Sequence, residues 1–100
     1  MYKIVFTKQA LKDLENLKQA NISNKAKVLV DLMRENPYQN PPRYEKLVGK
    51  LDGILSRRIN IQHRLVYQVE EKSFVENETV YQGTIKIIRM WTHYENISIL

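Results

Sequence analysis

The sequence predicts an α+β domain in which a short N-terminal strand and a helical hairpin precede a mostly antiparallel sheet. Apolar residues recur at helical spacing in two segments between residues 8 and 35, alternate over residues 55–69, and dominate residues 84–91. A chain of 100 residues is large enough for one core but too small for a separate cofactor domain. We therefore predict one domain over residues 1–100, with residues 95–100 as a short C-terminal tail.

The first third of the chain predicts a strand and two helices. Residues 2–6 are strand-like, and Thr7 offers a side-chain oxygen to the free amides of a helix start. The apolar stripe of the first helix is Ala10, Leu11, Leu14 and Leu17. Its exposed face is assigned to Lys8, Lys12, Asp13, Glu15 and Lys18. The second helix is expected to bury Ala26, Leu29, Val30 and Met33. Ser23 or Asn24 is its expected cap, and Pro37 ends it.

The remaining two thirds predict a loop and then the sheet. Residues 37–42 hold all three prolines and form a loop, and Glu45 follows in a second, polar loop. Residues 55–61 and 63–69 alternate around a short turn, which predicts an antiparallel hairpin with Arg58 and Arg64 together on the face that the helices leave open. Residues 70–82 are polar and predict a hairpin tip or loop. Residues 84–91 are apolar on both faces, as in a central strand.

The bulk composition favours a polyanionic partner and excludes several classes. Sixteen Lys and Arg residues against 11 Asp and Glu residues give a net charge of +5, which suits nucleic acid, an acidic protein or a membrane surface. The absence of cysteine excludes a disulfide scaffold and thiolate metal sites, and it fits a reducing compartment. We expect a cytoplasmic protein without membrane contact, because no apolar run approaches the roughly 20 residues of a membrane span and no signal peptide is visible.

A small set of residues matches the chemistry of metal-independent RNA cleavage. Attack by the RNA 2′-hydroxyl needs a base, cations on the phosphate and an acid for the 5′ oxygen. Glu45 is the candidate base, Arg64 and Arg58 suit the phosphate, and His93 suits the acid. Tyr94 is suited to stacking on a base or steadying the phosphate. No spacing suggests a metal site and no glycine-rich phosphate loop is present, so no metal or cofactor is expected.

Each candidate also has a structural interpretation. An arginine on an exposed strand face is usually solvated or ion-paired, and a glutamate between lysines is usually a surface charge. His93 fits a partly buried histidine with a backbone partner. His63 shares its parity with Leu65 and Tyr67, which favours a structural role. The combination of residues, and no single one, favours RNA cleavage.

The order of motifs resembles the Txe/YoeB toxins of bacterial toxin–antitoxin modules, in the RelE superfamily. The resemblance runs from the first strand to Tyr94. It is carried by Glu45-Lys46-Leu47, Leu51-Asp52-Gly53, Ser56-Arg57-Arg58-Ile59, His63-Arg64-Leu65-Val66-Tyr67 and His93-Tyr94. It implies a compact microbial-ribonuclease-like fold and cleavage of mRNA in the ribosomal A site. By this resemblance the base falls on Glu45, the phosphate-stabilising arginine on Arg64, the acid on His93 and the final tyrosine on Tyr94.

The resemblance also implies substrate contacts and partners. The lysine usual three residues after the glutamate is replaced by Val48, so either Lys46 or Lys50 takes its role beside Arg58 and Arg57, or that contact is missing. The implied partners are a YefM-like antitoxin, the ribosome with its mRNA, a second copy of the chain, and operator DNA bound by the toxin–antitoxin complex. Residues 70–82 are more numerous than is typical, and six residues follow the tyrosine.

Two other function classes compete with this interpretation. A non-enzymatic ParE-like toxin of the same superfamily would act by binding DNA gyrase, but such proteins lack the Glu, Arg and His set. A plain RNA-binding module should alternate aromatic residues on its open sheet face. That face is predicted to carry Ser56, Arg58, Asn60, Arg64 and Gln68 instead.

Overall fold

A computed structural model of the chain describes residues 1–49 and 53–92. Within these ranges one strand is followed by two helices and then by six strands. They are β1 (Tyr2–Phe6), α1 (Lys8–Gln19), α2 (Ser23–Glu35), β2 (Tyr44–Lys46), β3 (Ile54–Arg58), β4 (Arg64–Glu70), β5 (Phe74–Glu76), β6 (Thr79–Tyr81) and β7 (Gly83–Thr92). The predicted α+β class is confirmed.

Five of the strands form one sheet in the order β1-β7-β4-β3-β2. Only the β1–β7 pair is parallel among the described strands of this sheet, so it is mostly antiparallel, as predicted. Strand β7 lies between β1 and β4, which confirms the interior position expected for residues 84–91. Residues 70–82 are predicted to be a hairpin tip or loop, and the structure is more regular than a loop. They contain the separate β5–β6 hairpin, in which the Phe74 and Tyr81 rings stack with centroids 5.1 Å apart.

The two helices bury the faces that their apolar spacing predicts, with small differences. Thr7 caps α1, since its hydroxyl accepts a hydrogen bond from the Ala10 amide at 3.0 Å. Leu11, assigned to the apolar stripe, is instead exposed. The cap predicted at Ser23 or Asn24 is wrong, because α2 begins at Ser23 and Ile22 precedes it without a side-chain cap. The four residues predicted for the buried face of α2 are all buried.

Asp13 is the largest departure on the helices, because the predicted surface carboxylate is fully buried. It lies against strand β7, where the register with β4 shifts between the pairs Val66–Arg89 and Tyr67–Ile87. Such a bulge interrupts the ladder of backbone hydrogen bonds. The Asp13 carboxylate accepts hydrogen bonds from the Met90 amide at 3.0 Å and from Arg89 Nε at 2.8 Å. It thus stabilises the end of β7 from the helix side.

The sheet has a main core on one face and a smaller apolar cluster on the other. The main core packs α1 and α2 against the sheet, and Leu65, Tyr67 and Ile87 lie in it. The smaller cluster consists of Leu47, Ile54, Val66 and Ile88. We call the side that carries this second cluster the open face. Neither helix in the described part of the chain is long and apolar enough to cross a membrane.

Candidate active site

Glu45 lies on a strand and not in the loop predicted for it. It is the central residue of β2, the edge strand of the sheet, where it pairs with Ser56, which in turn pairs with Val66. Directly paired residues point to the same face of a sheet. Because Val66 belongs to the open-face cluster, Glu45 projects onto the open face. Its side chain is 33% exposed, which leaves the carboxylate accessible.

Arg64, at the start of β4, reaches over the same face. Its Nη2 lies 3.4 Å from Glu45 Oε1, and its Nη1 lies 3.4 Å from Ser56 Oγ. These distances are at the long end of the hydrogen-bond range, so both contacts are weak. The Arg64 side chain is 12% exposed, whereas Ser56 is fully buried. Alternation in the sequence places Ser56 on the open face but assigns it no role, since its place between the two charged groups depends on the register of three strands.

Arg58 stands directly opposite Arg64 in the β3–β4 ladder. The two therefore project onto the open face side by side, as the alternation of the sequence predicts. Like charges placed opposite each other in a sheet repel, and a bound anion would relieve that repulsion. Arg58 is exposed, so its guanidinium group is accessible at this end of the open face.

The other predicted site residues are placed differently. Arg57 is fully buried and does not present its guanidinium to solvent, because the alternation of β3 turns it toward the helix side with Leu55. Lys46 pairs with Leu55 and therefore projects away from Glu45, to the helix side of the edge strand. Neither is positioned to touch a substrate on the open face. Lys50, His93 and Tyr94 lie outside the described residues.

The last described residue of β7, Thr92, is the register partner of Arg64. His93 follows it directly in the sequence. Nearby, His63 is buried and stacks on Trp91 with ring centroids 4.0 Å apart, and its Nδ1 lies 2.5 Å from the Trp91 carbonyl oxygen. These contacts agree with the structural role that the sequence favours for His63.

Across residues 1–49 and 53–92, no group of three or more His, Asp or Glu side chains could hold a metal ion.

Similar proteins agree with this architecture. The family model of the YoeB-like toxin of bacterial type II toxin–antitoxin systems matches residues 6–94. A structure called the YoeB/ParE toxin from Agrobacterium tumefaciens is 26% identical with a TM-score of 0.76, over 92% of this chain and 99% of that one. A comparison with curated proteins found no match.

Two further solved proteins share the fold. In the structure of the YoeB dimer from Staphylococcus aureus, the YoeB chain is 31% identical to this chain. Its TM-score is 0.72, over 93% of this chain and 98% of that one. Its YoeB–YefM complex gives 32% identity and a TM-score of 0.68 over 94% and 99%. YafQ from E. coli, at 17% identity and a TM-score of 0.72 over 98% and 100%, supports the RelE-like fold alone. With the family model covering most of its length, the chain belongs to the YoeB-like toxins of bacterial type II toxin–antitoxin systems.

Proposed function

We propose that the protein is a ribosome-dependent mRNA endoribonuclease that cleaves in the A site and inhibits translation. The observation that carries the proposal is the meeting of Glu45 and Arg64 on the open face, with Arg58 directly beside Arg64. A carboxylate next to two guanidinium groups supplies a base and a phosphate site in one place. The family membership supports the same activity.

The proposed chemistry needs no metal. Glu45 takes the proton of the 2′-hydroxyl, and the 2′ oxygen then forms a bond to the adjacent phosphorus. Arg64 and Arg58 stabilise the charge that builds on the phosphate oxygens. The bond from phosphorus to the 5′ oxygen breaks while His93 gives that oxygen a proton, and Tyr94 steadies the neighbouring base or phosphate. The weak Glu45–Arg64 contact at 3.4 Å is one that an incoming phosphate can replace.

The proposed partners follow from membership of the YoeB-like toxin family. They are a YefM-like antitoxin, the ribosome with its mRNA, a second copy of the chain, and operator DNA for the toxin–antitoxin complex. The S. aureus YoeB structures, one a dimer and one a complex with YefM, support the antitoxin and the dimer. The cytoplasm is the proposed location.

Cleavage mapped on programmed ribosomes tests the proposal. The wild-type protein should cut mRNA in the A site, and Glu45→Gln should slow single-turnover cleavage by about 10²- to 10⁴-fold. Glu15→Gln, which changes an exposed glutamate on α1, is the matched control and should cleave like the wild type. An active Glu45→Gln protein would remove this residue from the mechanism.

A ParE-like toxin that binds DNA gyrase is the second candidate. The similar A. tumefaciens protein is called a YoeB/ParE toxin, and this name supports a ParE-like function as the second candidate. Gyrase supercoiling measured with added toxin separates the two functions. Inhibition of supercoiling without any mRNA cleavage would replace the ribonuclease proposal.

A further inference from the structure

Arg57 is a buried cation that is held by neutral oxygen atoms. Its Nη1 donates to the Pro42 carbonyl at 2.6 Å, and its Nη2 donates to the carbonyls of Pro37 and Gln39 at 3.0 and 2.7 Å. Its Nε donates to the Tyr67 hydroxyl at 3.1 Å. No carboxylate in the described ranges forms an ion pair with it. Because a desolvated cation is costly unless its donors are satisfied, these acceptors must stay in place around it.

The acceptors belong to the segment that enters the edge strand. Residues 37–42 form the loop, and its three carbonyls converge on the one guanidinium. The Tyr67 hydroxyl forms a fourth hydrogen bond to this loop, because it donates to the Pro37 carbonyl at 2.8 Å. Tyr44, the first residue of β2, is the register partner of Arg57, and its ring centroid lies 5.1 Å from the guanidinium carbon. One side chain of β3 therefore holds the chain from Pro37 to Tyr44.

The strand that follows depends on this attachment. Strand β2 has three residues, pairs only with β3 in the described sheet, and carries Glu45 at its centre. A short edge strand has few ladder hydrogen bonds of its own to fix its position. We infer that Arg57 is a positioning residue, which holds the loop of residues 37–42 so that Glu45 stays opposite Ser56 and within reach of Arg64. The inference rests on the proposed function, since it acts through Glu45 as the base.

Tyr67→Phe is the main test because it removes one buried hydroxyl and keeps the ring. Tyr67 is fully buried, so the missing hydroxyl cannot be a lost RNA contact. Single-turnover cleavage should show a maximal rate lower by about 10- to 100-fold, because a small misplacement of a catalytic group has effects of this size. The ribosome concentration at half-maximal rate should stay within about twofold of the wild type. Arg57→Lys keeps the charge but loses the planar fork, and it should behave in the same way.

Two control variants separate a misplaced base from a general loss of stability and from weaker RNA binding. Met33→Ala weakens the core at a buried residue of α2, outside residues 37–42, and lowers the melting temperature. It should leave the maximal rate unchanged at temperatures where it is folded. Arg58→Gln removes a proposed phosphate contact, so it should raise the half-saturating ribosome concentration as well as lower the maximal rate. Hydrogen exchange of the Leu47 amide, which donates to the Ile54 carbonyl at 2.9 Å, reports directly on the β2–β3 attachment and should quicken in Tyr67→Phe beyond the change in global stability.

A double-mutant cycle with Glu45→Gln decides whether the effect passes through the base. The double variant Glu45→Gln/Tyr67→Phe should cleave as slowly as Glu45→Gln alone. Independent, multiplying losses would overturn the inference, as would a normal rate in Tyr67→Phe while Glu45→Gln is inactive. A raised half-saturating concentration with an intact maximal rate in Arg57→Lys would make Arg57 an RNA contact instead. An active Glu45→Gln protein would overturn the base assignment first, and the positioning role with it.

Discussion

Glu45 and Arg64 meet across a strand that lies between them. Glu45 is on β2 and Arg64 on β4, and the two are joined at 3.4 Å above Ser56 of β3. The meeting is possible because the intervening side chain is small and fully buried. Two long side chains from the flanking strands β2 and β4 can therefore lean over it toward each other. The site is thus a property of sheet register, and it should respond to the size of residue 56.

Ser56→Leu should impair cleavage more than Ser56→Ala. The alanine variant loses only one weak hydrogen bond from Arg64, worth about 0.5–1.5 kcal/mol, and should cleave within roughly 10-fold of the wild type. The leucine side chain would occupy the space over which Glu45 and Arg64 meet, and it should reduce the rate by about 10²-fold or more. Single-turnover cleavage, with melting curves to verify folding, measures both. A fully active Ser56→Leu protein would show that the two charged groups need not meet.

Arg64→Ala should slow cleavage at every pH by about 10²- to 10³-fold, because it removes the guanidinium group that stabilises the charge on the phosphate. Arg64→Lys should recover part of the rate, since it keeps the charge without the bidentate fork. Arg34→Ala, on helix α2 and outside the site, is the matched control and should leave the rate unchanged. Rates between pH 6 and pH 9 provide the test, and a loss confined to one end of that range would contradict the assigned role.

The sequence predicts the positions of Arg58 and Arg64 better than it predicts the contacts that support Glu45. Alternation alone puts Arg58 and Arg64 on the open face, because each strand is long enough to show its period. Alternation also places Arg57 on the side of Leu55, so the same pattern argues against Arg57 as a substrate contact. The strand of Glu45 has only three residues, which is too short for any period to be visible. Asp13 could not be assigned correctly, because its partners lie on a bulge of β7 more than seventy residues away.

Asp13→Ala should destabilise the protein by on the order of 3 kcal/mol, since it leaves Arg89 and the Met90 amide without their acceptor. Asp13→Asn should cost less, because its side-chain oxygen can still accept from the Met90 amide. Asp31→Asn, at an exposed position of α2, should change the free energy of unfolding by less than about 0.5 kcal/mol. Urea denaturation of the three variants gives these values. Equal stabilities for Asp13→Ala and Asp31→Asn would show that the bulge needs no carboxylate.

The Asp13 carboxylate should make the free energy of unfolding fall at acidic pH. Burial alone would raise the pKa of Asp13, but hydrogen bonds from Arg89, the Met90 amide and Gln9 outweigh it and hold the pKa below its usual value. The folded protein therefore binds this proton less readily than the unfolded chain does. The stabilisation is complete above the unfolded pKa, near 4, and is lost as the pH falls through the lower folded value. The stability difference between the wild type and Asp13→Asn should accordingly shrink below about pH 4.

Glu71 links two tyrosines and should control their ionisation. The Tyr2 hydroxyl donates to both carboxylate oxygens at 2.9 Å, and the Tyr38 hydroxyl donates to one of them at 3.0 Å. Burial and this carboxylate raise the pKa of Tyr38 to about 12 and also raise the pKa of Tyr2. These bonds stabilise the fold below the unfolded phenol pKa, near 10, and the stabilisation is lost as the pH rises through about 12.

Glu71→Gln should therefore shift two tyrosines to lower pH in an ultraviolet titration of tyrosinate. Glu70→Gln, the exposed neighbour at the end of β4, is the matched control and should leave the curve unchanged. Tyr67, whose pKa is raised first of all by burial and not by Glu71, should titrate as before in both variants. Circular dichroism at each pH verifies that the protein remains folded. Superimposable curves for wild type and Glu71→Gln would mean that the carboxylate does not hold the phenols in solution.

His93→Gln should change the shape of the pH–rate profile, whereas Arg64→Ala should change only its height. In the proposed mechanism His93 must carry a proton to give to the 5′ oxygen, and the protonated fraction of a histidine falls as pH rises. The wild-type rate should therefore decline on the alkaline side when chemistry limits the reaction. Glutamine has no such proton to give, so His93→Gln should be slower by about 10²- to 10⁴-fold, with that alkaline decline flattened.

If His93 has only a structural role, His93→Gln should instead have a lower melting temperature and an unchanged pH–rate profile. Single-turnover rates between pH 6 and pH 9, read together with the melting curves of both proteins, decide between these roles.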